Sequence, residues 1–140
     1  MLKQNTLKSY TLFLLFSFSI LSAQLIVSPT ASVTDGETYP ELYGAQDITT
    51  VVIGENTYAL VASVLDDGVQ IIDISNPASP SAVANVTEGG TYSELWGASG
   101  ITTVVIGENT YALVAAASDD GVQIIDISDP AVPSAVAIFE

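Results

Sequence analysis

The side chains of this sequence that could do chemistry are almost all carboxylates. Asp and Glu together number sixteen, Lys and Arg together number two, and His and Cys are absent. Four of the carboxylates stand as adjacent pairs, each followed by glycine: Asp66-Asp67-Gly68 and Asp119-Asp120-Gly121. Clustered carboxylates with backbone carbonyl oxygens suit Ca²⁺, so the pairs predict a calcium site. The alternative is a solvated tight turn in which Asp favours the conformation and the glycine supplies a positive φ.

A second candidate site combines aromatic rings with carboxylates. Glu41 and Tyr43 in the first half of the chain correspond to Glu94 and Trp96 in the second half. Rings that form platforms beside hydrogen-bonding carboxylates suit a sugar, so these four residues predict a ligand-binding site. The alternative is that both rings pack under a loop or between sheets, as large aromatic side chains commonly do.

The missing residue types restrict catalysis. A Ser-His triad, a thiolate nucleophile and a His-supported zinc site all need side chains that the sequence lacks. Two chemistries remain, namely a carboxylate pair that cleaves a glycoside and a carboxylate-held metal that activates water. Both need a deep, closed site, which acids on the loops of a small repeat hardly enclose. We therefore predict no catalytic residue and no enzyme activity.

The N-terminal segment has the pattern of a secretory signal peptide. Lys3 and Lys8 precede an apolar run over residues 10–21, and the small residues Ser22 and Ala23 follow it. Such a run is short for a membrane span, so residues 1–23 are predicted to be removed, with an uncleaved N-terminal anchor as the alternative. The expected location is secreted or at the cell surface.

Without residues 1–23 the chain contains no Lys, Arg, His or Cys. Nucleic acid is excluded as a partner because phosphate binding depends on cationic side chains, and an anionic membrane is excluded for the same reason. Stability must come from buried apolar surface, since no disulfide can form. The expected partner is a protein or a surface glycan, and the one cofactor considered is Ca²⁺.

The sequence segments that must position these residues occur twice in the chain. The stretch ITTVVIGENTYALVA begins at Ile48 and returns at Ile101, and DDGVQIIDIS begins at Asp66 and returns at Asp119. Each residue of the first copy therefore corresponds to the residue 53 positions later. A repeat of this length indicates stacked supersecondary units.

Each copy reads as four short strands rich in β-branched residues and separated by turn residues. The predicted strands of the first copy are 48–53, 57–62, 69–75 and 81–86, and the second copy repeats them. A tight hairpin at Gly54 is expected to join the first two strands. Asp73 and Asp126, near the end of the third strand, are interpreted as turn residues bonded to backbone. The fold class is all-β, with two four-stranded antiparallel meanders.

The meander brings two sets of loops to one edge of each sheet, which we call the acidic edge. It receives the loops between the second and third strands and the connections between repeats, and with them most of the carboxylates. Four aromatic residues are assigned to the same edge, namely Tyr39, Tyr43, Tyr92 and Trp96.

The strands do not alternate between apolar and polar residues, so both faces of each sheet are expected to be covered. With no helix predicted, the cover must be other sheets, and blades of a β-propeller are the commonest solution. Two blades leave at least one apolar face bare, which predicts an incomplete propeller. Residues 28–36 align with residues 81–89 and resemble an orphan fourth strand. The chain is therefore either a fragment of a longer repeat protein or closes by forming a homo-oligomer.

The predicted organisation is a signal peptide (1–23), an orphan outer strand with a connecting loop (24–47), a first blade (48–86), a loop (87–100) and a second blade (101–139). Within the blades the pattern TYALVAS, DDG, VQIIDISNPASPSAVA resembles the LVIVD repeat of secreted and cell-surface bacterial and archaeal proteins. The resemblance implies propeller-like blades, a surface location, and interaction or adhesion without established chemistry. The alternatives are a piece of a propeller-type glycoside hydrolase or lyase, and a purely structural spacer.

Overall fold

The computed structural model describes residues 29–136. The predicted signal peptide and residues 137–139 of the second predicted blade lie outside this range. All eight regular elements within it are β-strands. Over the same residues the chain has no helix long and apolar enough to cross a membrane.

The strands form two antiparallel sheets of four, each in simple sequential order. Blade 1 consists of β1 (Ala45–Ile53), β2 (Asn56–Ser63), β3 (Gly68–Asp73) and β4 (Ser81–Thr87). Blade 2 consists of β5 (Ala98–Ile106), β6 (Asn109–Ala116), β7 (Gly121–Asp126) and β8 (Ser134–Ala135). The predicted all-β fold with two four-stranded meanders is confirmed.

Turn chemistry explains where the strands of blade 1 end. Ile53 pairs with Asn56 across a two-residue turn in which Gly54 has a φ of 64°, as the predicted hairpin requires. Strand β3 ends at Asp73, two residues before the predicted end, because Asp73 Oδ1 accepts a hydrogen bond from Ser75 N at 2.8 Å. That bond turns the backbone away from the ladder, and it confirms that Asp73 is a turn residue.

The main hydrophobic core lies between the two blades. Blade 1 contributes Leu60, Val69 and Ile71 from one face, and blade 2 contributes Val114 and Ile125 from the face that opposes it. These side chains are buried in a single cluster, so the blades stack face to face. Fully burying each such side chain stabilises the fold by about 1.5–3 kcal/mol.

The outer face of blade 1, formed by Ile48, Ala59, Val61 and Ile72, is covered in part by the chain that precedes β1. Val33, Tyr39 and Leu42 pack against its buried residues. Residues 29–34, which belong to the predicted orphan strand, pair with no strand in the described part of the chain. Within this range it is Val33 that contributes to the apolar cover.

The outer face of blade 2, formed by Val104, Tyr111, Leu113, Val122 and Ile124, has no comparable cover within residues 29–136. Val104, Val122 and Ile124 are exposed there. Within the described residues this exposure agrees with the prediction that two blades leave at least one apolar face bare.

Candidate functional site

The β2–β3 and β6–β7 loops of the acidic edge carry the Asp pairs. Asp66 Oδ2 accepts a hydrogen bond from Tyr43 N at 2.6 Å, and Asp119 Oδ2 accepts one from Trp96 N at 2.8 Å. Each of these two carboxylates therefore holds the backbone of an aromatic residue. The same offset of 23 residues occurs in both repeats, and it is the sequence signal that could have revealed the contact.

The carboxylate of Asp67 also accepts a hydrogen bond from a backbone N–H group, and this bond joins the two blades. Its Oδ1 accepts a hydrogen bond from Gly97 N at 2.7 Å, in the connection that leads into β5. Hydrogen bonds from backbone N–H groups to a carboxylate are stronger than those between neutral groups. The backbone N–H of Trp96 thus bonds to Asp119, and that of the next residue, Gly97, bonds to Asp67.

The predicted role of the glycines in the DDG turns was wrong. Asp67 and Asp120 have the positive φ, 54° in both cases, whereas Gly68 and Gly121 begin strands without one. Asp can adopt this conformation because its short polar side chain forms local hydrogen bonds. Gly68 is needed for space, since a Cβ there would lie 2.5 Å from the Val86 carbonyl oxygen and would also meet the Glu41 carboxylate.

Glu41 lies beneath the acidic edge, with 6 % of its surface exposed. Thr87 Oγ1 donates a hydrogen bond to Glu41 Oε1, while Glu41 Oε2 has no hydrogen-bond partner among residues 29–136. Burial raises the pKa of the Glu41 carboxyl, the bond from Thr87 lowers it, and the nearby charge of Asp66 raises it again. The net shift is upward, so the carboxyl binds a proton more tightly in the folded protein than in the unfolded chain.

Glu94 occupies the equivalent position in blade 2 and is only partly buried. Its backbone N donates to Gln123 Oε1 at 3.3 Å, as Glu41 N donates to Gln70 Oε1 at 3.4 Å. The backbone geometry of the two repeats is therefore alike, although the exposure of the two carboxyl side chains differs.

The two aromatic residues of the candidate ligand site lie on the surface. Tyr43 is 59 % exposed and Trp96 is 57 % exposed, so neither ring packs in the interior as the alternative interpretation expected. The carboxylates that contact their backbones are those of Asp66 and Asp119, whereas Glu41 is buried. Ligand binding by the four predicted residues stays a prediction, and the two aspartates join the set.

The assignment of Tyr39 and Tyr92 to the acidic edge was wrong. The Tyr39 hydroxyl donates to the carbonyl of Pro80 at 3.1 Å, and the Tyr92 hydroxyl donates to that of Pro133 at 2.8 Å. Both prolines precede the fourth strand of a blade, at the edge opposite to the acidic one. Each tyrosine therefore lies across a sheet face and anchors the connection between repeats.

Asp47 has a structural role that its loop position in the sequence did not indicate. Its Oδ2 accepts a hydrogen bond from Ile101 N at 2.9 Å, so β1 of blade 1 contacts β5 of blade 2 through a carboxylate. The equivalent residue in blade 2 is Gly100, which cannot form such a bond.

The geometry of the Asp pairs agrees with a tight turn. Asp66, Asp67 and Asp119 each use a carboxylate oxygen to accept a backbone hydrogen bond. Within residues 29–136 no three His, Cys, Asp or Glu side chains are grouped so that they could hold a metal ion. Calcium binding at Asp66, Asp67, Asp119 and Asp120 stays a prediction.

A family model described as LVIVD repeat matches residues 45–88 and 101–140. The first stretch contains blade 1, the second contains blade 2 except for the first three residues of β5, and together they cover more than half of the chain. No curated protein matches the chain.

Proposed function

The chain belongs to the LVIVD repeat family, and from its geometry we propose that it is a non-catalytic interaction module that works in a secreted or cell-surface location. The observation that carries this proposal is the pair of exposed rings, Tyr43 and Trp96, whose backbones are held by Asp66 and Asp119. Large exposed aromatic residues on a fixed backbone are suited to binding because little freedom is lost when a ligand covers them.

The charge of the chain limits the ligand. The net charge is −14, so a neutral or cationic partner is favoured over an anionic one. An aromatic face covers the apolar face of a sugar ring, and the neighbouring carboxylates accept hydrogen bonds from its hydroxyl groups. We therefore propose a neutral surface glycan as the ligand of the acidic edge, with a protein partner as the alternative.

Binding to an array of neutral glycans tests this proposal. Tyr43→Ala and Trp96→Ala should each weaken binding at least about tenfold, since aromatic anchors at the centre of an interface commonly contribute 2 kcal/mol or more. Val132→Ala is the matched control because Val132 is an exposed apolar residue in the β7–β8 connection, away from the acidic edge. Unchanged binding by both aromatic variants would exclude the acidic edge as the binding surface.

Protein partners require a second assay. If the chain binds no glycan but binds cells that display surface proteins, and Trp96→Ala abolishes that binding, the ligand is a protein. If the chain binds neither glycans nor cells, the alternative that it is a purely structural spacer is favoured.

Calcium is not needed for this proposal, because backbone hydrogen bonds already engage the carboxylates of Asp66, Asp67 and Asp119. Isothermal titration calorimetry with CaCl₂ tests the calcium hypothesis directly. Binding heat that disappears in Asp66→Asn and Asp119→Asn variants would support it, and an absence of heat would leave the tight-turn interpretation.

The geometry gives less support to the alternative that this chain is a piece of a carbohydrate-active enzyme. Cleavage of a glycoside needs an acid that can reach the leaving-group oxygen. Glu41 has the raised pKa expected of such an acid, but its side chain is buried against Gly68 and Thr87. We infer that the raised pKa of Glu41 is a consequence of folding and has no role in catalysis.

A further inference from the structure

The outer face of blade 2 is an apolar surface without cover in the described part of the chain. Val104, Tyr111, Leu113 and Ile124 line a groove on it of about 230 Å³, together with Ile106 and Val136. Val122 is 56 % exposed and Ile124 is 40 % exposed. Large β-branched side chains are rarely left together at a surface unless something binds there.

The equivalent face of blade 1 shows what covers such a surface within the molecule. The residues of blade 1 that correspond to Val122 and Ile124 are Val69 and Ile71, which are 1 % and 2 % exposed. They are buried in the cluster that blade 1 forms with blade 2. The occupant of this kind of face is therefore the opposite face of another blade.

The outer face of blade 1 is the complementary half of the same contact. Ile48 is 61 % exposed, whereas its counterpart Ile101 is 8 % exposed because blade 1 covers it. Ile48 and Val61 line a groove of about 420 Å³. The counterparts of both residues, Ile101 and Val114, belong to the buried cluster between the blades.

The chain that precedes β1 prepares this face for docking. Val33, Tyr39 and Leu42 pack on it, and their counterparts Val86, Tyr92 and Leu95 pack in the cluster between the blades. The segment therefore supplies its own part of a blade-to-blade contact, and only the facing sheet is missing.

We propose that the outer face of blade 2 binds the outer face of blade 1 in a second copy of this chain. The contact between copies then repeats the contact between the blades of one copy, so the association is head to tail. It uses the sheet faces and is independent of the function proposed for the acidic edge. An asymmetric contact of this kind leads to a ring or to an open chain of copies.

A polar contact also has its counterpart between copies. Within one chain Asp67 accepts a hydrogen bond from Gly97 N across the blades. Between copies Asp120 takes the place of Asp67, and Gly44 takes the place of Gly97. The backbones are already suitable, since Asp120 has the same φ of 54° as Asp67 and Gly44 has a φ of 75° against 73° for Gly97.

Two features make the contact between copies weaker than the contact within a chain. Gly100 replaces Asp47, so the bond to Ile101 N has no counterpart between copies. Each copy is also strongly acidic, and like charges oppose association. Salt screens this repulsion, so association should strengthen as the NaCl concentration rises.

Sedimentation equilibrium measures the association directly. The chain is expressed from Met1, so that any processing by the host occurs, and is studied from about 50 mM to about 500 mM NaCl, where the screening length falls severalfold. We expect a mass that increases with protein concentration and with salt. A monomer at all concentrations and salt levels would overturn the proposal. The same result is expected if a different protein, and not a second copy of this chain, covers these faces.

Two charged variants test the head-to-tail geometry. Ile124→Glu damages the outer face of blade 2, Ile48→Glu damages that of blade 1, and each should raise the dissociation constant at least about tenfold because a charge would be buried without a partner. A mixture of the two variants should form a one-to-one dimer and nothing larger, since each copy keeps one intact face. Val132→Glu adds the same charge at an exposed site and should associate normally.

The mixture decides between this geometry and a symmetric one. If Ile48→Glu associates like the unchanged protein, or if the mixture stays monomeric while each variant is folded by circular dichroism, the head-to-tail contact is wrong. Asp120→Gly should weaken association severalfold without changing the fold, because glycine tolerates the positive φ of this position and the Asp120 carboxylate bonds to the neighbouring copy in this contact.

Discussion

Glu41 and Glu94 show how one residue type acquires different properties at the same position of a repeat. The backbones around them form corresponding hydrogen bonds to Gln70 and Gln123. Glu41 is nevertheless buried, and its Oε2 has no hydrogen-bond partner in the described part of the chain, whereas Glu94 is partly exposed. A buried carboxyl without a full set of hydrogen bonds favours the neutral form, which makes Glu41 a source of pH dependence.

The raised pKa of Glu41 should appear in the pH dependence of stability. The unfolded pKa is near 4.5, so the stabilisation linked to the protonated carboxyl is complete below that pH and is lost as pH rises through the higher folded pKa. Glu41→Gln should therefore stabilise the protein at neutral pH and flatten this part of the profile. Urea denaturation at several pH values measures the effect, and Glu94→Gln serves as the matched control.

Asp73 and Asp126 act in the opposite direction at lower pH. Bonds from Ser75 and Ser128 lower their pKa values below 3.8. Their stabilisation is present above pH 3.8 and is lost as pH falls through the lowered values.

The Glu41 prediction would be contradicted if Glu41→Gln and Glu94→Gln shifted the pH profile of stability equally above pH 4.5.

The glycines of the DDG turns allow a second comparison at the residue scale. A Cβ at Gly68 would lie 2.5 Å from the Val86 carbonyl oxygen, which is part of a strand and cannot move freely. Among residues 29–136, the three atoms nearest to a Cβ at Gly121 are side-chain atoms of Glu94, which can turn toward solvent. Gly68→Ala should therefore destabilise the fold by about 1–3 kcal/mol, the usual cost of overpacking, and Gly121→Ala should cost less.

Urea denaturation of the two alanine variants measures this difference. Equal losses of stability would mean that the two turns are equally crowded, contrary to the contacts of Gly68.

At the scale of the elements, the sequence predicted what local patterns determine. The β-branched runs located β1 to β7 within a few residues, because short apolar runs between turn residues have few other solutions. Gly54 located the first hairpin because the turn requires a positive φ. The repeat then made the second blade a copy of the first.

The errors concern features that depend on contacts distant in sequence. Tyr39 and Tyr92 were assigned to the wrong edge because their hydroxyl groups bond to residues 41 positions away. The positive φ was assigned to Gly68, although Asp67 adopts it. Glycine is needed at position 68 because Glu41 and β4 leave no space for a Cβ there, and no local sequence pattern indicates this crowding.

The docking of one blade on the other depends in part on Asp47, and this can be tested. Asp47→Ala leaves the partly buried Ile101 N without its acceptor, so unfolding should become easier by about 1–3 kcal/mol. Asp35→Ala removes the same charge from an exposed loop and should change stability much less. Equal effects in thermal denaturation would attribute the change to net charge and would contradict a specific bond between the blades.

At the scale of the whole molecule, the position of the core controls cooperativity. The largest buried cluster lies between the blades and contains side chains from both of them. Neither blade can therefore lose its partner without exposing apolar surface, and the two blades should unfold together. Residues 29–136 contain no Lys, Arg or His, so this burial and the hydrogen bonds stabilise the described part of the chain without ion pairs between side chains.

Ile71 and Ile124 test this organisation because they occupy the same position in the two repeats. Ile71→Ala should cost about 2–5 kcal/mol, since it opens a cavity between the blades. Ile124→Ala should cost less than about 1 kcal/mol in dilute solution, because its side chain is exposed there. At protein concentrations where copies associate head to tail, Ile124 becomes buried like Ile71, and the cost of Ile124→Ala should rise. Urea denaturation at low and high protein concentration measures both costs, and a concentration-independent value for Ile124→Ala would show that its face stays open in solution.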